Sequence, residues 1–286
     1  MYVAKIENSG GEVLTLTGTE SKWQVFDITG LDPPAAQINL TSLAGLDGAR
    51  LNSTKLGTRN VVISIKINGD IEGNRLDLYR FFRAKEACTF YFANGRREVK
   101  IDGVIESVEC PQFTNKEIMQ VSIICPYPYF RALAEITADI SNEIDGFSFP
   151  FSINVGHPVP FSIYVAHREA DVFNDSDTET GAVIEVEFSG AVSKIMLANV
   201  GTGETLTVNY NFISGDTMTI DTNKGQKSLV LTRGGIKYNL FPALASGSVF
   251  FQLRPGSNVF TYFADDGAAD ANVHITFTFS DLFAGV

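Results

Sequence analysis

Three histidines, His157, His167 and His274, are the residues best suited to general acid–base or metal chemistry, and all lie in the second half of this 286-residue sequence. None stands near a Gly-x-Ser-x-Gly or similar nucleophile turn, and no cysteine shares that half. They read as structural residues. Glu185 and Glu187 stand two apart on one strand face. A pair of carboxylates is what glycoside hydrolysis requires, but a solvated strand face carries such pairs far more commonly. Asp171, Asn174, Asp175, Asp177 and Glu179 offer oxygen ligands at alternate positions, as a calcium loop would. Their spacing departs from the EF-hand, Gly181 arrives too late, and the segment reads as an acidic turn. Cys88, Cys110 and Cys125 are odd in number and match no CxxC or zinc-knuckle spacing. Buried, reduced thiols suit them best. The expectation is a protein with no catalytic residues, no metal and no cofactor.

The bulk properties narrow the class further. A chain of this length predicts about two domains. With 44% hydrophobic and 19% charged residues, it can build ordinary cores. Its 22 Phe against one Trp, with Val, Thr and Gly throughout, leans toward β structure. No apolar run approaches the ~20 residues of a membrane span, and no secretory signal is visible, so synthesis in a cytoplasm without membrane insertion is expected. The net charge of −11 argues against nucleic-acid binding. That charge is uneven: Arg50 to Lys100 holds 11 basic against 5 acidic residues, a local +6. A basic band on an acidic chain is suited to meeting an acidic neighbour, although a solvated charged face accounts for it equally well.

The elements are mostly strands. Val13–Thr17 and Trp23–Ile28 alternate, and Arg59–Asn68 places Val61, Ile63, Ile65 and Ile67 on one face. Thr29–Leu56, with Pro33-Pro34, Gly30, Gly45 and Gly48, reads as a long irregular segment of the kind used as a binding arm. The spacing of Leu76, Tyr79 and Phe82 predicts the one helix, over 74–85, with Asn74 as N-cap and basic residues in its last turn. Cys88–Phe92 and Arg97–Ile101 flank Asn94-Gly95, a hairpin signal. Val104–Cys110 and Gln120–Cys125 add two strands. Cys125-Pro126-Tyr127-Pro128-Tyr129-Phe130 then forms a proline-stiffened strap. Tyr127, Tyr129 and Phe130 are its candidate inter-domain anchors. The second half reads as strands at 182–188, 194–199, 205–209, 217–221, 228–232, 248–253 and 272–279, with interrupted strands between Phe147 and Val165 and no helix required.

The order of these segments resembles the siphophage distal tail protein (Dit) family of phage and prophage tail tips. The residues that carry it are the strand Arg59–Asn68, Gly69-Asp70, the aromatic helix, the Asn94-Gly95 hairpin, Gly103-Val104-Ile105-Glu106 and the strap. In the second half they are Val172-Phe173-Asn174, Val183–Val186, Ile195–Thr205, Gly215–Thr222 and Phe250–Asn258. The resemblance implies a mainly β chain: a β-rich ring-forming domain with one helix over 1–130, a linker over 131–146 and a galectin-like β-sandwich over 147–286. It implies a hexameric ring that joins the tail tube to the tail-tip or baseplate hub and offers a docking platform to receptor-binding proteins. The partners are then further copies of the chain, the major tail tube protein, the hub and a receptor-binding protein, and the location is the virion tail. A ring uses two different faces of each copy. The helix, with Arg80 and Arg83, and the segment Thr29–Leu56, with Leu43 and Arg50, are the candidate faces. The alternative is a carbohydrate-binding adhesin, in which Tyr210, Tyr238 and Tyr262 of the sandwich stack on sugar.

Overall fold

The computed structural model describes residues 2–17, 22–42, 44–45, 47–111, 117–140, 143–145, 162–164, 169–267 and 269–286. The chain divides into two units, Met1–Ala134 with Leu282–Val286, and Glu135–Asp281. Both are built on antiparallel strands. Among the described residues no helix is long and apolar enough to cross a membrane.

The first unit is organised on a nine-stranded sheet. Its main path runs Val13–Thr15, Val3–Asn8, Ala87–Ala93, Glu98–Glu109, Ile118–Cys125, Arg59–Ile67 and Trp23–Thr29. Alternation decides which face is buried. Val61, Ile63 and Ile65 meet Phe90, Ile101, Val121 and Ile123 in one core, while Asn60 and Lys66 stay in water. Glu98–Glu109 is one strand with a bulge between Ile105 and Ser107, where the sequence suggests two. Gly103 is not a break but a close approach: a Cβ there would lie 2.5 Å from Ile123 Cγ2.

The helix spans Ile71–Phe81, three residues earlier than its spacing predicts. Its N-cap is Asp70, whose Oδ1 accepts from the Gly73 amide at 3.3 Å. Asn74 is buried in the first turns and donates to the Asn68 carbonyl at 2.7 Å. Leu78, Phe81 and the C-cap residue Phe82 face the core, whereas Leu76 is exposed.

Two features of this unit have no counterpart in the sequence pattern. Ala36–Ser42 and Ala49–Leu56 form a two-stranded hairpin where an irregular arm is expected. The last five residues return to the unit: Leu282–Phe283 pairs with Phe130–Ala132, which pairs in turn with Glu98–Glu109. The segment 131–146, expected as a linker, contains residues of both units. Phe130–Ala132 is a strand of the first unit, and Ile136–Asp139 is a strand of the second.

The second unit stacks a six-stranded sheet and a four-stranded sheet around a shared core. The first runs Ile136–Asp139, Val273–Phe279, Val183–Phe188, Thr217–Asp221, Ser228–Arg233, Ile236–Asn239. The second runs Glu169–Asn174, Gly256–Ala264, Val192–Asn199, Thr205–Phe212. Ile184, Val186, Ile220 and Phe277 from one sheet meet Ile195, Leu197, Val208 and Phe260 from the other. Phe188 and Phe212 stack with centroids 4.1 Å apart. Ser248–Leu253, expected as a strand, forms an isolated bridge from Leu253 to Thr180 instead. Of the stretch 147–165, Ser162–Tyr164 is described, as a strand paired with Glu143–Asp145, and the rest lies outside the described residues.

Candidate assembly surfaces

The hairpin is the largest unsupported element of the first unit. Among the described residues its strands pair only with each other, and nearly every residue in them is exposed. An isolated two-stranded hairpin is marginally stable in water. Its register gathers the apolar residues on one side: Leu40 pairs with Leu51, and Ile38 with Thr54. A bulge keeps that side continuous, because Asn52 is extruded and donates to Thr41 Oγ1 at 2.6 Å. Ile38, Leu40 and Leu51 are 60%, 55% and 58% exposed. Arg50 lies on the same hairpin, opposite Thr41, and is exposed. Leu43 lies outside the described residues.

Arg80 and Arg83 are also exposed, but each has a local partner. Arg80 Nη1 stands 3.5 Å from Asp77 and Arg83 Nη1 3.6 Å from Glu86. Only Arg80 lies in the helix's last turn, and Arg83 follows its end. Exposed i,i+3 pairs of this kind contribute little to stability, so both guanidinium groups can exchange partners cheaply.

The strap splits its three aromatics. Phe130 is fully buried in the core of the first unit, beneath the Arg59 guanidinium at 4.5 Å. Tyr127 is exposed and packs on Tyr129 at 5.4 Å, and Tyr129 is half-buried. Arg59, which sequence reasoning passed over, is the residue that ties the strap down. It donates to the carbonyls of Pro128 at 2.7 Å, Asp32 at 2.7 Å, Gly30 at 2.5 Å and Ala284 at 2.5 Å. Burial lowers its pKa, with Cys125 and Asp32 opposing that shift. Arg97 adds a second hold on the returning terminus, donating to Gly285 O at 2.6 Å and lying 4.0 Å over the Phe283 ring.

Cys88 and Cys125 are free and buried, and Cys110 is free and half-buried. Burial pushes the Cys88 thiol up to about 12 and the Cys125 thiol to about 11.

In the second unit the three candidate sugar-stacking tyrosines separate. Tyr262 is 1% exposed, and its hydroxyl donates to the Asp270 carbonyl, so it cannot meet a ligand. Tyr210 and Tyr238 both stand near Arg233, whose guanidinium lies 5.6 Å from the Tyr210 ring centroid. Arg233 also donates to both carboxylate oxygens of buried Asp216, at 2.8 and 2.5 Å. That hydrogen bond holds the Asp216 carboxyl below the usual carboxylate range.

His274 is half-buried opposite Glu187, with Nε2 at 4.0 Å from Asp139. His157 and His167 lie outside the described residues. The acidic segment is spent on structure. Asp171 Oδ1 accepts from Ser257 and from the Asn258 amide, Glu179 pairs with Lys224, and Asn174 donates to Leu253 O.

Comparison with known proteins agrees with this architecture. Residues 175–280 match the family described as siphovirus-type tail component, C-terminal domain. No curated protein matches the chain. The crystal structure of the Dit protein of phage SPP1, described as a paradigm of the hub adsorption apparatus of phages infecting Gram-positive bacteria, is similar in fold. It superposes with a TM-score of 0.69 at 15% identity, covering 98% of this chain and 99% of that one. A chain of the phage P2 baseplate in its calcium-activated conformation gives 0.55 at 11% identity, covering 100% of both chains. The strontium-activated form of that baseplate gives 0.51, also at 11%. Residues 175–280 are thus similar to the C-terminal domain of siphovirus-type tail components, and over its whole length the chain has the fold seen in the Dit protein of phage SPP1.

Proposed function

We propose that six copies close a ring through the first unit, and that this ring joins the phage tail tube to the tail-tip or baseplate hub. The second unit, read as a galectin-like sandwich, is carried by the ring as a platform for receptor-binding proteins. The protein contributes shape and contact and no catalysis, and its place is the tip of the virion tail.

The observation that carries this reading is the hairpin of Ala36–Ser42 and Ala49–Leu56. A free-standing ribbon with an apolar stripe on one side needs a surface to cover it. Completing the burial of Ile38, Leu40 and Leu51 contributes about 1–2 kcal/mol each, so roughly 3–6 kcal/mol at each contact between copies. In a closed ring every copy both gives and receives that contact, so the contribution repeats around the circle.

Light scattering on the full chain tests the assignment. The wild type is expected at the mass of six copies, and Leu40→Asp with Leu51→Asp at the mass of one. Both side chains are more than half exposed, so the dissociated variant is expected to stay folded, with a circular-dichroism spectrum matching that of the wild type. A hexamer that survives both substitutions removes the hairpin from the interface. Arg80→Glu with Arg83→Glu tests the helix face in the same assay, and an intact ring would remove that face.

A further inference from the structure

Among the described residues, the six-stranded sheet of the second unit ends on Ile236–Asn239, a strand with a neighbour on one side only and every residue exposed. Gly234 and Gly235, at φ 57° and 79°, turn the chain tightly into it from Ser228–Arg233. Leu240 N donates to Leu229 O, and Tyr238 stands opposite Leu231. The alternation of an antiparallel ladder then aims the backbone N–H and C=O groups of Lys237 and Asn239 away from the sheet. This is a template for one more strand.

The side chains say what kind of strand fits. Tyr238 faces the same way as buried Leu231, toward the core side, and Ile236 shares that face. They remain 42% and 59% exposed, as expected where six strands overhang a sheet of four. Lys237 lies on the other face.

The surrounding sequence is one-signed. From Thr222 to Ala264 there are five basic residues, Lys224, Lys227, Arg233, Lys237 and Arg254, and no Asp or Glu, in a chain whose net charge is −11. Lys224 is paired with Glu179 and Arg233 with Asp216, which leaves Arg254, Lys227 over the Phe250 ring, and Lys237 on the edge strand itself.

We propose that Ile236–Asn239 accepts an extended segment of another protein by strand addition. That segment alternates apolar residues, which meet Ile236 and Tyr238, with acidic residues, which meet Lys237. A second copy of this chain is a poor occupant, because symmetric pairing of the same short edges gathers two Lys237 side chains on one face. The inference rests on the reading of the second unit as a docking platform and is independent of the ring.

The test uses the full chain and two synthetic peptides, one alternating valine with glutamate and one alternating valine with lysine. Hydrogen–deuterium exchange is followed over residues 234–240. The acidic peptide is expected to slow exchange there and to bind at least tenfold more tightly than the basic one. Lys237→Glu should reverse that order. Lys237→Pro removes an outward N–H without touching the ladder to Ser228–Arg233, and it should abolish binding at unchanged melting temperature. Equal binding to the wild type and Lys237→Pro, or unchanged exchange at millimolar acidic peptide, overturns the proposal. Self-association of the wild type lost in Lys237→Pro also overturns it, in favour of a second copy. If a receptor-binding protein of the same tail binds wild type and Lys237→Pro alike, the platform reading stands and the edge assignment fails.

Discussion

Replacing Arg59 with methionine is expected to unfold the first unit at markedly milder conditions. Arg59 is 3% exposed, and its guanidinium holds four backbone carbonyls from three separate segments: Gly30 and Asp32, Pro128, and Ala284. Methionine fills much the same volume against the Phe130 ring but offers no donor. Truncating one side of a buried charged network costs about 3–5 kcal/mol, since the acceptors are left dry and unpaired. Set against a typical total of about 5–15 kcal/mol for a domain, that is roughly a fifth or more of the unit's stability. At about 2–4 °C per kcal/mol, melting should fall by roughly 10 °C.

Calorimetry of the full chain should show two transitions, and only the one belonging to the first unit should move. Arg59→Lys, which keeps the charge but not the fork of donors, should recover part of the loss. Deleting residues 282–286 should cost less in the methionine background than in the wild type, because the Ala284 bond is already gone. A shift below about 1 kcal/mol, or strictly additive losses for substitution and deletion, would refute the role assigned to Arg59.

The pH dependence of the second unit should carry a signature of Asp216. Its folded pKa lies below the usual value, mainly through the Arg233 hydrogen bond, so its contribution is complete above the ordinary carboxyl range and is lost as pH falls through the folded pKa. Asp216→Asn should flatten that acid limb of the stability curve, and an unchanged limb would contradict it. Cys88 and Cys125 should resist a thiol reagent at pH 8 until denaturant is added, because burial keeps both protonated. Cys110, half-buried, should react before either, and rapid labelling of all three in the native protein would contradict the packing.

The sequence was most legible where one physical rule acted alone. Val61, Ile63, Ile65 and Ile67 alternate because one face of their strand is buried, and the Asn94-Gly95 turn is tied locally, with Asn94 Oδ1 accepting from the amides of Arg96 and Arg97. Reading failed where a distant partner decided. Asp70 caps the helix, but Gly73 and the buried Asn74 blur its first turn, so the apolar period alone started it too late. The hairpin 36–56 lacks an inward face within its own chain, and its residues therefore show no clear alternation. Its bulge at Asn52 shifts the phase further. The return of Leu282–Phe283 to Phe130–Ala132 depends on a pairing across about half the chain, which no local pattern encodes. Of the candidate site, the tyrosines near Arg233 were legible as residue types, but their separation from buried Tyr262 required the sheet register.

Electron microscopy of the purified full-length protein bears most directly on the central claim. Class averages are expected to show closed six-fold rings around an open channel, with the second units arranged symmetrically. Single copies alone, at concentrations well above those in an infected cell and equally in virion tail tips, would contradict it.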